Sequence, residues 1–224
     1  MKDHPKDLPI KVLIVSSYSG SLTSVRPEAE MVLRLKKEGV KLGVMADSKG
    51  PYAEIFRKNG ISVFHYKPHR KIGLREILYI RYVLIKGQYD LMHVFNNKAV
   101  VNAIMASLWL PAKVITYRGY TGHLVWYKPT AYISHLHPKV SKITCVSNGV
   151  RDHVKKQLPF NKNKAVTVYK GHDPAWYNNI MPYTKDQLGV SSNAFLVCCV
   201  ANARPMKGIP YLIKASHYLV SHQN

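Results

Sequence analysis

Short apolar, β-branched runs alternate with longer segments whose apolar positions recur at helical spacing, from residue 12 to about residue 169. That rhythm predicts strands joined by crossover helices, and hence a parallel sheet in an α/β domain. The predicted strands are Val12–Ser16, Lys41–Ala46, Ser62–Tyr66, Leu91–Phe95, Val114–Tyr117, Ile143–Val146 and Val166–Tyr169. Helices are predicted near Pro27–Glu38, Tyr52–Lys58, Leu74–Lys86, Ala99–Leu110 and Asn148–Gln157. The expected fold is Rossmann-like, with helices on both faces of the sheet.

The boundaries have local causes. Pro27 is expected at the first helical position, with Glu28 and Glu30 in the first turn where negative charge meets the helix dipole. Gly39 and Gly60 are expected to end their helices in the left-handed conformation, and Ser147 to cap the helix carrying Arg151 and Asp152.

After Tyr169 the rhythm breaks at Lys170-Gly171-His172-Asp173-Pro174. We therefore expect a first domain over 1–173, a linker over 174–193, and a further unit over 194–224 with one strand, Phe195–Val200, and one helix from about Gly208. One strand and one helix cannot bury their own faces, so this unit is either docked on the first domain or the start of a larger second domain.

Of 224 residues 46% are hydrophobic and 20% charged, enough apolar surface for an ordinary globular core. The net charge of +21 is the unusual feature, and no Asp or Glu lies between Asp90 and Asp152 or after Asp186. A field of that size attracts phosphates, anionic lipid or nucleic acid, although a generally basic surface is an equally good account of it. Cys145, Cys198 and Cys199 form no CxxC pair, which argues against a disulfide framework or a thiolate zinc site and fits a reducing compartment. The first apolar run, Ile10 to Val15, is read as a strand and not as a signal peptide. Ala99 to Pro111, the longest nearly uncharged apolar stretch, is too short to cross a bilayer, so no transmembrane helix is predicted; with the reducing compartment, a cytoplasmic chain is expected. Lys67, His69, Arg70, Lys71 and Arg75 lead into a helix containing Ile77, Leu78, Ile80, Val83 and Leu84, a pattern that suits peripheral contact with an anionic membrane surface.

In an open parallel sheet, ligands bind beyond the carboxyl ends of the strands. Small residues in Ser16-Ser17-Tyr18-Ser19-Gly20-Ser21 let backbone N–H groups approach an anion. This loop lacks GxGxxG, so Asp47, placed where a ribose-binding acid would stand, gives little support for a nicotinamide site. Tyr117-Arg118-Gly119-Tyr120-Thr121-Gly122-His123 gathers a guanidinium, two glycines and an imidazole: Arg118 can hold a phosphate bidentately, and His123 can donate to a sugar hydroxyl or serve structure alone. Arg204 and Lys207, just before the last predicted helix, are placed to stabilise a diphosphate, or are solvated charges. No D-x-D, Walker, HExxH, GxSxG, zinc-finger or nucleic-acid motif occurs, so no metal, cofactor or specific nucleic acid is expected.

Taken together, VLIVSSYSGS, KVITYRGYTGHL, SKITCVSNGVRDHV, AVTVYKGHDPAWY and VCCVANARPMKGIPYLIKA resemble glycosyltransferase family 4, retaining enzymes of GT-B fold. The last block resembles the family's R-P-x-K-G segment and is the most specific; in the fourth, Lys170 and His172 stand where the family's N-G-V-D has asparagine and valine. The resemblance implies sugar transfer, without a metal, from a nucleotide diphosphate sugar to a glycan or lipid-linked acceptor. It implies Arg204 and Lys207 at the donor phosphates; from the strand-end loops, Gly20 is expected there as well, Ser19, Arg118 and Gly119 at the acceptor, and His123 as the catalytic residue. The family's E-x7-E motif lies downstream of R-P-x-K-G, and no acid follows Asp186. The expectation is therefore an acceptor half with an incomplete donor half, a truncated product or one completed by a second chain. The other reading is a non-catalytic basic module for anionic glycan, lipid or nucleic acid.

Overall fold

The computed structural model describes residues 9–19, 22–122, 124–201 and 204–221. The chain divides into two compact units, Met1–Asp173 and Pro174–Asn224.

In the first unit, β1 (Lys11–Val15), β2 (Lys41–Ala46), β3 (Ser62–His65), β4 (Leu91–Val94), β5 (Lys113–Arg118), β6 (Val140–Cys145) and β7 (Ala165–Thr167) form one sheet in the order β3-β2-β1-β4-β5-β6-β7. Every neighbouring pair is parallel. The connections carry α1 (Leu22–Lys37), α2 (Ala53–Lys58), α3 (Leu74–Gly87), α4 (Val100–Ser107), α5 (Pro129–Tyr132) and α6 (Asn148–Gln157). Alternation along β1 divides the core between two faces: Leu13 and Val15 pack with Ile80, Val83 and Ile104, whereas Val12 and Ile14 pack with Val32 and Phe56. Strands covered on both faces read as continuous apolar runs, which is why the central strands were legible.

The chain builds outward from β1 to β3, then returns to place β4 beside β1. This reversal leaves a crevice at the carboxyl ends of β1 and β4, where connections leave toward opposite sides.

The expected helix stops are present: Gly39 has φ 87° and Gly60 φ 66°, and the Ser147 hydroxyl accepts from Val150 N at 3.3 Å. Two expectations are corrected. Helix α1 begins at Leu22, so Pro27 lies inside it and Glu28 and Glu30 lie beyond its first turn. The missing proline N–H removes one bond to the carbonyl four residues back, a local cost that flanking turns absorb. Glu28 answers to a tertiary partner instead of the dipole, as described below.

The second correction lies in the second unit. It contains 3-10 turns at Pro174–Tyr177, Asp186–Leu188 and Pro205–Lys207, and one helix, α7 (Ile209–Ser221). Phe195–Val200, expected to be a strand, forms no ladder among the described residues. Phe195 is 93% and Val200 100% exposed: the apolar run has no strand beside it to take its backbone hydrogen bonds. Among the described residues, no helix is long and apolar enough to cross a membrane.

Candidate functional site

The chain leaves β1 through Ser16, which extends the ladder by donating its N–H to Met45 O at 3.1 Å. Tyr18 then adopts φ 46°, uncommon for a residue with a side chain, and its ring packs edge-on against Phe56 at 5.2 Å. Burial of this ring in the core holds the loop in that conformation. Ser17 and Ser19 consequently border the crevice, with Ser19 Oγ donating to Ser17 Oγ at 3.2 Å.

The loops after β3 and β4 complete a cleft of about 480 Å3, lined by Ser17, Ser19, Lys67, Phe95, Asn96 and Lys98 together with Pro68 and Asn97. Phe95 is the apolar floor: its ring lies 4.2 Å from His93 and 5.3 Å from Tyr117. Asn96 Oδ1 accepts from Lys98 N at 3.1 Å, a local turn that fixes the lysine backbone at the rim. Among the described residues no carboxylate lines this cleft, while two lysines do. It is equipped for a polar, hydroxyl-rich and negatively charged ligand with an apolar face.

Beside the cleft, Glu28 joins three elements. Its Oε2 accepts from Ser16 Oγ at 3.2 Å, and its Oε1 from Lys170 Nζ at 2.8 Å. The same ammonium lies 5.5 Å from the centre of the Tyr117 ring. The end of β1, helix α1 and the loop after β7 are thereby linked.

Arg118 behaves differently from a phosphate ligand reaching into solvent. It is 4% exposed, and its Nη2 donates to Gly122 O at 2.7 Å while the guanidinium lies 4.7 Å from the centre of the Tyr120 ring. It therefore fastens its own loop, and burial lowers its pKa from the ordinary value. Its Nε has no partner among the described residues. Gly119 is exposed, and a Cβ there would meet the Tyr117 ring at 3.3 Å. Under this loop His135 Nδ1 is 2.9 Å from Thr116 Oγ1; burial, reinforced by Arg118, pushes its pKa down to about 3. Burial likewise lowers His93 to about 4. Both rings are neutral at ordinary pH.

Asp47 is engaged locally, 3.8 Å from Lys67 Nζ, and accepts from Lys49 N at 3.1 Å. His123 and Gly20 lie outside the described residues. In the second unit, Arg204 and Lys207 are exposed at the two ends of the Arg204–Lys207 turn, where Lys207 N donates to Arg204 O at 2.9 Å. Gly208, at φ 68°, turns the chain into α7. Of the residues the sequence pointed to, Ser19 lines the cleft together with Ser17 of the same loop, whereas Lys67, Asn96 and Lys98 were not predicted as site residues. The available signal was their place just after predicted strands; the adjacency of β1 and β4 that unites them belongs to the topology.

A family model for Glycosyltransferase Family 4 matches residues 29–176. The chain belongs to glycosyltransferase family 4. No curated protein matches it. Among solved structures, a glycosyltransferase from Rickettsia africae ESF-5 is similar at TM-score 0.67 and 18% identity, over 94% of this chain and 57% of that one. Anabaena HepE, solved with UDP and glucose, is similar at TM-score 0.55 and 14% identity, over 75% of this chain and 46% of the other. S. aureus MnaA, solved with UDP, gives TM-score 0.54 and 9% identity, over 81% and 52%. At these identities the likeness establishes the shared Rossmann-like α/β fold, and the family 4 chain spans about half the length of these structures.

Proposed function

We propose that this family 4 chain takes part in transferring a sugar from a nucleotide diphosphate sugar to a glycan or lipid-linked acceptor, with retention and without a metal. Residues 1–173 form the acceptor-side domain, 174–193 a linker, and 194–224 the beginning of a donor-side region. The observation that carries this reading is the cleft between the ends of β1, β3 and β4, whose lining combines Ser17, Ser19 and Asn96 with Lys67, Lys98 and Phe95. Sugars present hydroxyls on an edge and C–H groups on a face, and this lining complements both. The UDP bound in Anabaena HepE and S. aureus MnaA supports a nucleotide donor.

In the transfer, the bond from the anomeric carbon to the diphosphate oxygen breaks, and the acceptor oxygen forms a bond on the same face as its proton passes to the departing diphosphate. Charge grows on the departing diphosphate, and preorganised cations at that position lower the barrier. Arg204 and Lys207 take this role, and His123 donates to a sugar hydroxyl. Three free cysteines, two of them exposed, support placement in a reducing cytoplasm.

The test is saturation-transfer NMR on the full chain, with phosphorylated monosaccharides and nucleotide diphosphate sugars as separate probes. Asn96→Ala should remove contact with the phosphosugar and leave nucleotide contact unchanged. Undiminished phosphosugar contact in that variant refutes the acceptor cleft.

A further inference from the structure

Helix α4 buries an asparagine within an apolar run. Asn102 is 0% exposed, and a buried amide needs partners for its donors and its acceptor. Its Oδ1 accepts from Gly73 N at 3.0 Å, and its Nδ2 donates to Arg70 O at 3.2 Å and to Glu76 Oε2 at 3.0 Å. All three partners lie in the segment that runs from β3 into the first turn of α3.

Glu76 gathers the same segment from its other side. Its Oε2 also accepts from Tyr66 OH at 2.8 Å, and its Oε1 accepts from His69 N at 3.3 Å and Arg70 N at 3.2 Å. Burial, and then the Glu76 carboxylate, push the Tyr66 pKa well above its ordinary value, so this hydroxyl stays protonated and donates. Tyr66 N in turn donates to Ala46 O at 2.7 Å, which ties the start of the loop to the end of β2. Residues 66, 69 and 70 are thus fastened to one carboxylate, and Lys67 and Pro68 form the short excursion between them. These two are the residues of the loop that line the cleft. Pro68 has a fixed φ and biases Lys67 toward an extended backbone, which stiffens the excursion further. Neither Asn102 nor Glu76 is among the described residues lining the cleft.

We propose that Asn102 and Glu76 are positioning residues for the acceptor: through Tyr66, His69 and Arg70 they hold Lys67 and Pro68 as a preformed wall of the cleft, with the Lys67 ammonium set for the phosphate of a phosphorylated sugar. A wall ordered before binding spares the ligand the entropic cost of ordering it. A buried polar network with its groups satisfied specifies one arrangement of the loop, and losing one member leaves the others unpaired. The inference deepens the acceptor reading of the cleft and rests on it.

A binding cycle and a local cleavage assay on the full chain test it together. NMR titration with glucose 1-phosphate gives the affinity of the wild type, Lys67→Ala, Asn102→Asp and the double variant. Lys67→Ala should weaken binding about 10- to 100-fold, the loss of a charge-assisted bond. Asn102→Asp sets a carboxylate against Glu76 and removes the donor to Arg70 O, so a loss of about 10-fold is expected. Because Asn102 acts through Lys67, the double variant should bind no more than about twofold more weakly than Lys67→Ala alone. Trypsin cleavage after Arg70 and Lys71, mapped by mass spectrometry, should accelerate about 10-fold in Asn102→Asp, as the pinned Arg70 carbonyl is released. Val154→Ala, at a buried position of α6, lowers stability away from this loop and should leave both readings at their wild-type values. Glu76→Gln keeps the volume, withdraws one acceptor oxygen and repeats the cycle, and circular dichroism checks that each variant folds. Additive losses in the cycle, unchanged cleavage after Arg70 and Lys71, or equal effects from Val154→Ala overturn the positioning role. Absence of glucose 1-phosphate binding by the wild-type chain refutes the acceptor reading, and the positioning role falls with it.

Discussion

Glu28 and Lys170 meet at 2.8 Å across 142 residues of sequence, and the pair closes the carboxyl end of the sheet from the β1 side to the β7 side. Their side chains are 14% and 31% exposed, so the pair is only partly screened by water. Coupling of about 1 kcal/mol is expected, above that of a fully exposed pair. Urea midpoints of Glu28→Gln, Lys170→Met and the double variant measure it. If the effects of the two substitutions simply add, the pair contributes no coupling.

Arg118 should be a structural residue. Replacement by Met leaves the Gly122 carbonyl without its charged donor and loosens the 119–122 loop, with an expected loss of about 2–3 kcal/mol. Thermal unfolding reports this directly. An unchanged midpoint together with lost phosphosugar binding would return Arg118 to the ligand.

His135 makes stability depend on acidity. Its folded pKa, about 3, lies below the ordinary histidine value of 6.5, because burial and then Arg118 disfavour the charged ring. The neutral ring is retained in both states above the unfolded pKa. As pH falls below it, the unfolded chain binds a proton that the folded chain refuses until its own pKa is reached. Stability therefore declines between about pH 6.5 and 3, by up to several kcal/mol for a shift of this size. His135→Gln should flatten the slope in a series of denaturant titrations across that window, and an unaltered slope would exclude this histidine as its source.

The sheet was legible because Leu13, Val44 and Val114 sit in runs whose two faces are both covered, leaving a continuous apolar signature. Its cleft was far less legible. Asn96 and Lys67 carry no fingerprint in isolation and acquire meaning when β4 takes its place beside β1, a long-range event invisible to local pattern. Arg118 was ambiguous for a related reason: a guanidinium satisfies a phosphate and a carbonyl of its own loop by the same donors, and folded geometry places its Nη2 on the Gly122 carbonyl. Phe195–Val200 has strand composition, but a strand also needs a neighbour, which no single segment specifies.

Arg204 and Lys207 supply the last prediction. Both are exposed in a unit whose local order comes from other bonds, such as Lys185 Nζ donating to the carbonyls of Ser192 at 2.7 Å and Ala194 at 2.8 Å. Arg204→Ala and Lys207→Ala should therefore alter stability by no more than about 0.5 kcal/mol. Each should weaken binding of a nucleotide diphosphate sugar by about 10- to 100-fold, since a charge-assisted bond to phosphate contributes about 1.5–3 kcal/mol. Lys185→Ala should show the opposite balance, destabilising its unit through the carbonyls it leaves unpaired. Isothermal titration beside denaturant midpoints separates the two behaviours. Wild-type affinity in both Arg204→Ala and Lys207→Ala would remove these residues from the donor phosphates, and a large midpoint drop would make them structural.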